Sequence, residues 1–156
     1  MFINIYLECP YTYGPPMAVA PLPSVRSVLE YALTEIPEEK IFLGIPNYGY
    51  DWALPYEQGV TRATSLGNVS AVRLAAATGS EILFDEYAQS PYFYYTDLQG
   101  TEHVVWFEDV RSIRGKFALT AENDLVGCGY WNIMRPFPQN YLLLNGTFDI
   151  EKVFGT

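Results

Sequence analysis

Two apolar runs that break off into polar, aromatic-rich segments constrain this chain more than any other feature. Residues 41–50 read Ile-Phe-Leu-Gly-Ile-Pro-Asn-Tyr-Gly-Tyr, and residues 127–135 read Gly-Cys-Gly-Tyr-Trp-Asn-Ile-Met-Arg. In the first run hydrophobics occupy both faces, as strands of a parallel sheet covered on both sides require. In parallel α/β architectures ligands gather where the strands end, because the loops after the strands open on one face. The two endings are therefore the first place to look for a site.

The rest of the chain supplies the helices that such strands need. An apolar strand candidate spans 2–7, and Pro15, Pro16, Pro21 and Pro23 with Gly14 then mark a long loop. Ser24 can cap a helix over 24–36, with Val25, Val28, Leu29, Ala32 and Leu33 on one face and Pro37 ending it. The strand over 40–46 completes a βαβ unit, whose strands pair in parallel. A further helix is expected over 109–123, on Val110, Ile113, Phe117 and Leu119, before a strand at 125–131. Residues 140–144 can begin a closing helix that Gly146 punctuates.

Residues 60–107 interrupt this rhythm. A helix over 69–77, with Asn68 as cap, Val72, Ala75 and Ala76 as its apolar face and Gly79 as its stop, precedes strands at 81–84, 92–96 and 103–107. The last two flank a Gly-containing hairpin loop at 97–101. The reading is a small α+β module inserted into an α/β frame: 1–59 frame, 60–107 module, 108–156 frame.

Composition narrows the function classes. With 156 residues, 49% hydrophobic and 17% charged, the chain has the makings of a globular core. A formal charge of −9 with scattered Lys and Arg excludes a nucleic-acid or anionic-lipid footprint. No stretch reaches the roughly 18 apolar residues of a membrane helix, so no membrane insertion is expected. Cys9 and Cys128 fall toward opposite ends of the expected sheet and read as two free thiols; His103, the only histidine, has no Cys or His neighbour for a metal site. No cofactor is called for. Met1 leads straight into a strand, as in a partial reading frame. The 16% aromatic content, with 13 Tyr, suits stacking on sugar rings and equally suits half-buried strands.

Order and spacing carry a resemblance. The stretch 11–21 (Tyr-Thr-Tyr-Gly-Pro-Pro-Met-Ala-Val-Ala-Pro), the stretch 41–52, Gln89-Ser90-Pro91-Tyr92-Phe93, the stretch 106–113, Gly129-Tyr130-Trp131 and the stretch 135–140 together resemble the C-terminal part of a glycoside hydrolase family 18 barrel, in its spore-cortex and peptidoglycan-acting branch. The resemblance implies a TIM (β/α)8 barrel. Of this the chain would hold about three βα units: strands six and seven before the inserted module, strand eight after it. It also implies cleavage of β-linked N-acetylglucosamine glycans with retention, the substrate's acetamido oxygen serving as nucleophile. Peptidoglycan, spore cortex or chitin-like polymers would be the partners, in a bacterial envelope, spore or extracellular setting.

The family's acid comes from an Asp-x-x-Asp-x-Asp-x-Glu signature, and no such run occurs here. The resemblance therefore implies a fragment that is inactive alone. Its alternative is a non-catalytic glycan-binding or scaffold module. On the first strand the family's Met-x-Tyr-acid pattern becomes Ile5, Leu7 and Glu8, with Tyr6 one place off and Cys9-Pro10 where Trp-Gly is usual.

By the same resemblance Trp131 floors the sugar pocket, Glu8 offers a substrate hydrogen bond, and Tyr48 and Tyr50 line the cleft. The bland readings are a core Trp131, a solvated Glu8 and tyrosines packed on the module. Trp52 is left open between cleft and packing. Glu108 and Asp109 read together as the acidic start of a helix. Three parallel strands with open edges would need the N-terminal part of the barrel, or another copy of the chain, to cover them.

Overall fold

The computed structural model of the chain describes residues 3–5, 13–132 and 134–150. In chain order they form β1 (Ile3–Ile5), α1 (Leu22–Glu35), β2 (Ile41–Pro46), β3 (Tyr48–Ala53), β4 (Thr64–Gly67), α2 (Asn68–Thr78), β5 (Leu83–Asp85), β6 (Ser90–Thr96), β7 (Glu102–Trp106), α3 (Val110–Glu122), β8 (Gly127–Trp131) and α4 (Pro138–Thr147). Tyr6, Glu8 and Cys9 lie outside the described residues.

Two sheets result. The first is parallel, in the order β1-β2-β8, with Ile3 opposite Ile41 and the β2–β8 ladder running from Phe42–Gly127 to Pro46–Trp131. The apolar content of β2 follows from its central place: Ile41, Leu43 and Ile45 turn to one face and are buried. Ile41 and Leu43 pack with Val25, Leu29 and Ala32 of α1 and Leu119 of α3, while Ile45 packs with Ile113, Phe117 and Phe137. Helices on one face of a parallel sheet are the outer layer of a (β/α)8 barrel. The chain forms about three units of it.

The second sheet is antiparallel, in the order β4-β3-β7-β6-β5. Its strands alternate strictly. Phe93 and Val105 turn toward Ala71 and Ala75 of α2, whereas Trp52 and Val104, with half-buried Tyr50, Tyr92 and Trp106, turn to the other face. On that second face Tyr50, Trp106 and Tyr92 share a row across three strands, and Tyr92 stacks on Trp106 with centroids 4.6 Å apart.

The polar, aromatic-rich segment that follows the strand over 40–46 is itself a strand of this sheet, where a loop is expected after a parallel strand. Tyr48, Tyr50 and Trp52 alternate with Gly49, Asp51 and Ala53, a period-two pattern, and β3 pairs with both β4 and β7. The sheet of the module thus takes in a strand from residues 1–59, and β4 was not anticipated at all. Asn47 alone separates β2 from β3, so the chain changes sheets within one residue. That crossing forces a close approach at Gly49. A Cβ there would lie 2.5 Å from the Trp106 carbonyl oxygen and 2.6 Å from Phe107 Cβ. Because the Trp106 carbonyl is backbone, it cannot swing aside. Gly49→Ala is expected to lose about 2–3 kcal/mol of stability, the upper part of the usual overpacking range; a denaturation midpoint unchanged from the parent would contradict this.

Helix ends show where local rules held and where they did not. Asp109 caps α3: its Oδ1 accepts from the backbone N–H groups of Arg111 (2.8 Å) and Ser112 (3.1 Å), and Ser112 Oγ accepts in return from Asp109 N–H. Gly79, at φ +67°, ends α2 as expected. Helix α1 starts at Leu22 rather than after a Ser24 cap, because Pro23 fits the first turn and Leu22 N–H donates to the Ala88 carbonyl at 3.0 Å. Asn68 is not the cap of α2; Gly67 is, while Asn68 sits buried inside the helix and accepts from Glu108 N–H. The buried face of α2 is Asn68, Ala71 and Ala75, and Val72 is turned outward. Gly146 lies within α4 and does not stop it.

Candidate functional site

Where the parallel strands end, β2 and β8 deliver neighbouring loops. Asn47 ties them together: its N–H donates to the Trp131 carbonyl at 2.9 Å, and its Nδ2 donates to the Asn132 carbonyl at 3.2 Å. Asn47 is itself buried, so these bonds are shielded from water and hold the backbone of residues 131–132 against β3. The Trp131–Asn132 peptide is cis.

Tyr48, Tyr50, Ser65, Trp131, Asn132 and Arg135 line a cleft of about 260 Å³. Three of the four residues singled out in the sequence, Tyr48, Tyr50 and Trp131, thus share one cavity; Glu8 lies outside the described residues. Trp131 is 54% exposed, so it is not a core residue. Tyr48 is nearly buried and meets Tyr50 edge to face at 5.6 Å, which fixes both rings. Trp52, left open earlier, is a packing residue. It is fully buried, and its indole N–H donates to the Gly14 carbonyl at 2.9 Å, pinning the proline-rich loop to the sheet.

Ser65, Asn132 and Arg135 were not read as site residues. Arg135 donates from Nη1 to Ser65 Oγ at 2.7 Å and sits 6.0 Å from the Tyr48 ring centroid. Its stem runs along Gly67, where a Cβ would stand 3.7 Å from Arg135 Cδ. Ser65 comes from β4, the strand the sequence reading missed, so the pairing that brings it to Arg135 could not be foreseen. Beyond Arg135 lies a second, larger cleft of about 440 Å³, lined by Gly67, Val69, Ser70, Met134, Arg135, Pro136 and Pro138.

The titratable groups elsewhere are structural. Glu108 did not join Asp109 at the helix start. It is fully buried against Lys116 Nζ at 2.8 Å and Ser112 Oγ at 2.6 Å. Burial pushes its carboxyl above the ordinary glutamate range, against the pull of Lys116. His103 Nδ1 lies 2.8 Å from Asp51 Oδ1, and its ring stacks on Tyr95, whose hydroxyl donates to Asp51 Oδ2 at 2.7 Å. Burial, with Asp51 behind it, pushes the Tyr95 phenol up. Behind β8, burial likewise raises the Cys128 thiol and takes Tyr130 up to about 12. Among the described residues no group of three or more His, Cys, Asp or Glu could hold a metal ion, and no helix is long and apolar enough to cross a membrane.

Parallel strands backed by helices, an antiparallel module inserted after β2 and an aromatic cleft at the strand ends are the arrangement of part of a glycoside hydrolase barrel of the chitinase type. The profile of Glycosyl hydrolases family 18 matches residues 11–135, and the chain belongs to that family. It is 48% identical over 145 residues to the cortical fragment-lytic enzyme of Bacillus subtilis (strain 168), a match covering 93% of this chain and 34% of that protein. The crystal structure of the Bacillus cereus spore cortex-lytic enzyme SleL superposes with a TM-score of 0.92 at 44% identity, over 97% of this chain and 35% of that one. A chitinase from Chromobacterium violaceum ATCC 12472 superposes with a TM-score of 0.83 at 26% identity, over 92% of this chain and 44% of that one. The chain spans about a third of the length of the cortex-lytic relatives, and corresponds to their C-terminal part.

Proposed function

We propose that this chain supplies the floor and one wall of a cleft for β-linked N-acetylglucosamine glycans, of the peptidoglycan, spore-cortex or chitin-like kind, and does not hydrolyse them by itself. The observation that carries this reading is Trp131, half-exposed at the end of β8 with Tyr48 and Tyr50 beside it. A flat indole presented to solvent at the strand ends offers a sugar ring an apolar face to stack on. By the family resemblance Glu8 would add a carboxylate acceptor. Catalysis needs an acid to protonate the leaving oxygen, and the Asp-x-x-Asp-x-Asp-x-Glu run that carries it in the family does not occur in this sequence. The acid would come from the N-terminal part of a family barrel, whose strands would also cover the edges of β1 and β8.

The test is a titration with N-acetylglucosamine oligomers followed by Trp fluorescence. Trp52 is shielded and Trp131 is the most exposed of the three indoles, so a ligand on the cleft reports through Trp131. A saturable shift is expected, and Trp131→Ala should abolish it. A shift that survives in Trp131→Ala would place the sugar elsewhere, and no shift would remove the binding role from this chain. A second reading, a binding or scaffold module with no catalytic partner, is favoured by the absent acid run and by Tyr6 standing one place off the family's pattern. It predicts that no complementing N-terminal part yields hydrolysis.

A further inference from the structure

We infer that Arg135 reads a carboxylate carried on the bound glycan, so that the cleft selects acid-substituted over neutral chains. This rests on the reading of Trp131 as the sugar floor. Arg135 stands between the 260 Å³ cleft beside Trp131 and the 440 Å³ cleft beyond it, and lines both. A substituent leaving a sugar stacked on Trp131 would meet the guanidinium on its way into the larger space.

Three contacts hold Arg135 in place: Nη1 on Ser65 Oγ at 2.7 Å, the stem along Gly67, and the guanidinium 6.0 Å from the Tyr48 ring centroid. None of these neutralises it. No ion pair of Arg135 occurs among the described residues, although the chain carries a net charge of −9 and pairs Arg26, Arg111 and Lys116 with acids. Among the described residues, those lining the two clefts include no Asp or Glu. A guanidinium has five N–H donors in a planar fork suited to a carboxylate, and Ser65 occupies one of them. An ordered, half-buried fork with no acid paired to it among the described residues is costly to keep unless a ligand completes it. The first turn of α2, with no acidic residue and no side-chain cap, opens on the same larger cleft and adds to the favourable field. The ligand class is a neutral amino-sugar backbone bearing an ether-linked or amide-linked acid.

The experiment uses three β-linked tetrasaccharides with the intact chain: unsubstituted N-acetylglucosamine, one with a 3-O-carboxyethyl group on alternate residues, and the methyl ester of that acid. The acid is expected to bind about tenfold more tightly than its ester, a conservative return on a charge-assisted pair at a half-exposed site. Raising the salt concentration should shrink this ratio and leave the ester unaffected. Arg135→Gln should bring the acid-to-ester ratio to about one, and Arg135→Lys should keep part of the preference. Equal binding of acid and ester by the parent chain overturns the inference and leaves the sugar reading intact. Loss of acid and ester binding alike in a folded Arg135→Gln also overturns it, by making the arginine a positioning residue. Binding of none of the three overturns the sugar reading and this inference with it. Should Arg135→Gln fail to fold, the acid-to-ester ratio and its salt dependence in the parent chain decide.

Discussion

Lys116→Met is expected to destabilise the chain by about 3–5 kcal/mol at neutral pH, more than any surface substitution could. Lys116 and Glu108 are both fully buried, and their 2.8 Å contact compensates two charges that water does not reach. Met fills most of the lysine's volume, so the loss comes from the orphaned carboxylate and not from a cavity. Glu108 Oε1 already has no hydrogen-bond partner among the described residues, which leaves Ser112 as the only side-chain donor to that carboxylate there. The pH dependence fixes the interpretation. With Lys116 gone, the carboxyl of Glu108, already raised by burial, rises further because its opposing cation is lost. A raised carboxyl pKa means that the folded state holds a proton which the unfolded state has released. Stability of the variant should therefore recover as pH falls from the raised value toward the ordinary glutamate range, and decline again as pH rises. The double variant Glu108→Gln/Lys116→Met should regain most of the loss at neutral pH. Urea midpoints of the parent and both variants at neutral and acid pH decide the matter; equal losses for the single and double variants would show a packing defect instead.

That pair also marks the limit of what the sequence disclosed. The helix over α3 could be read from Val110, Ile113, Phe117 and Leu119 because its period is local, and Asp109 announced its start. Glu108 one residue earlier looked like more of the same acidic cap. Its partner is eight residues on, and the wall that buries both includes Asn68 from another element, which no local pattern contains. The strand that ends at Trp131 was legible in the apolar run before it, whereas a cleft role for Trp131 rested on the resemblance and not on the residues alone. Arg135 was not, because its meaning depends on Ser65, and Ser65 reaches it only through the β3–β4 ladder. The alternation in residues 48–53 was present in the sequence. It was hidden by two glycines, an asparagine and a proline close by, which also fit a loop.

On the reading proposed above, an N-terminal part of a family 18 barrel that carries the acid run is expected to join this chain in a hydrolytic complex that the chain does not form alone. The physical reason lies in the parallel sheet. Its helix side is packed by α1 and α3; on the other side, at the end of β8, Trp131 stays half-exposed. Parallel sheets are stable when both faces are covered, and a strand edge with free N–H and C=O groups pairs with whatever strand arrives. β2 is the only strand of the sheet with neighbours on both sides among the described residues, so β1 and β8 each present an edge. Alone, the chain should run by light scattering as a concentration-dependent oligomer and melt over a broad range. Mixed with the N-terminal part of the Bacillus subtilis relative, to which this chain is 48% identical, it should form a one-to-one complex, melt cooperatively and release reducing ends from cortex glycan. Replacing the acid of the added part by Gln should leave the complex and remove the hydrolysis. A chain that is monomeric at every concentration, melts sharply and ignores the added part would show that three strands and the inserted module already satisfy one another, and would move the reading from half an enzyme to a binding module.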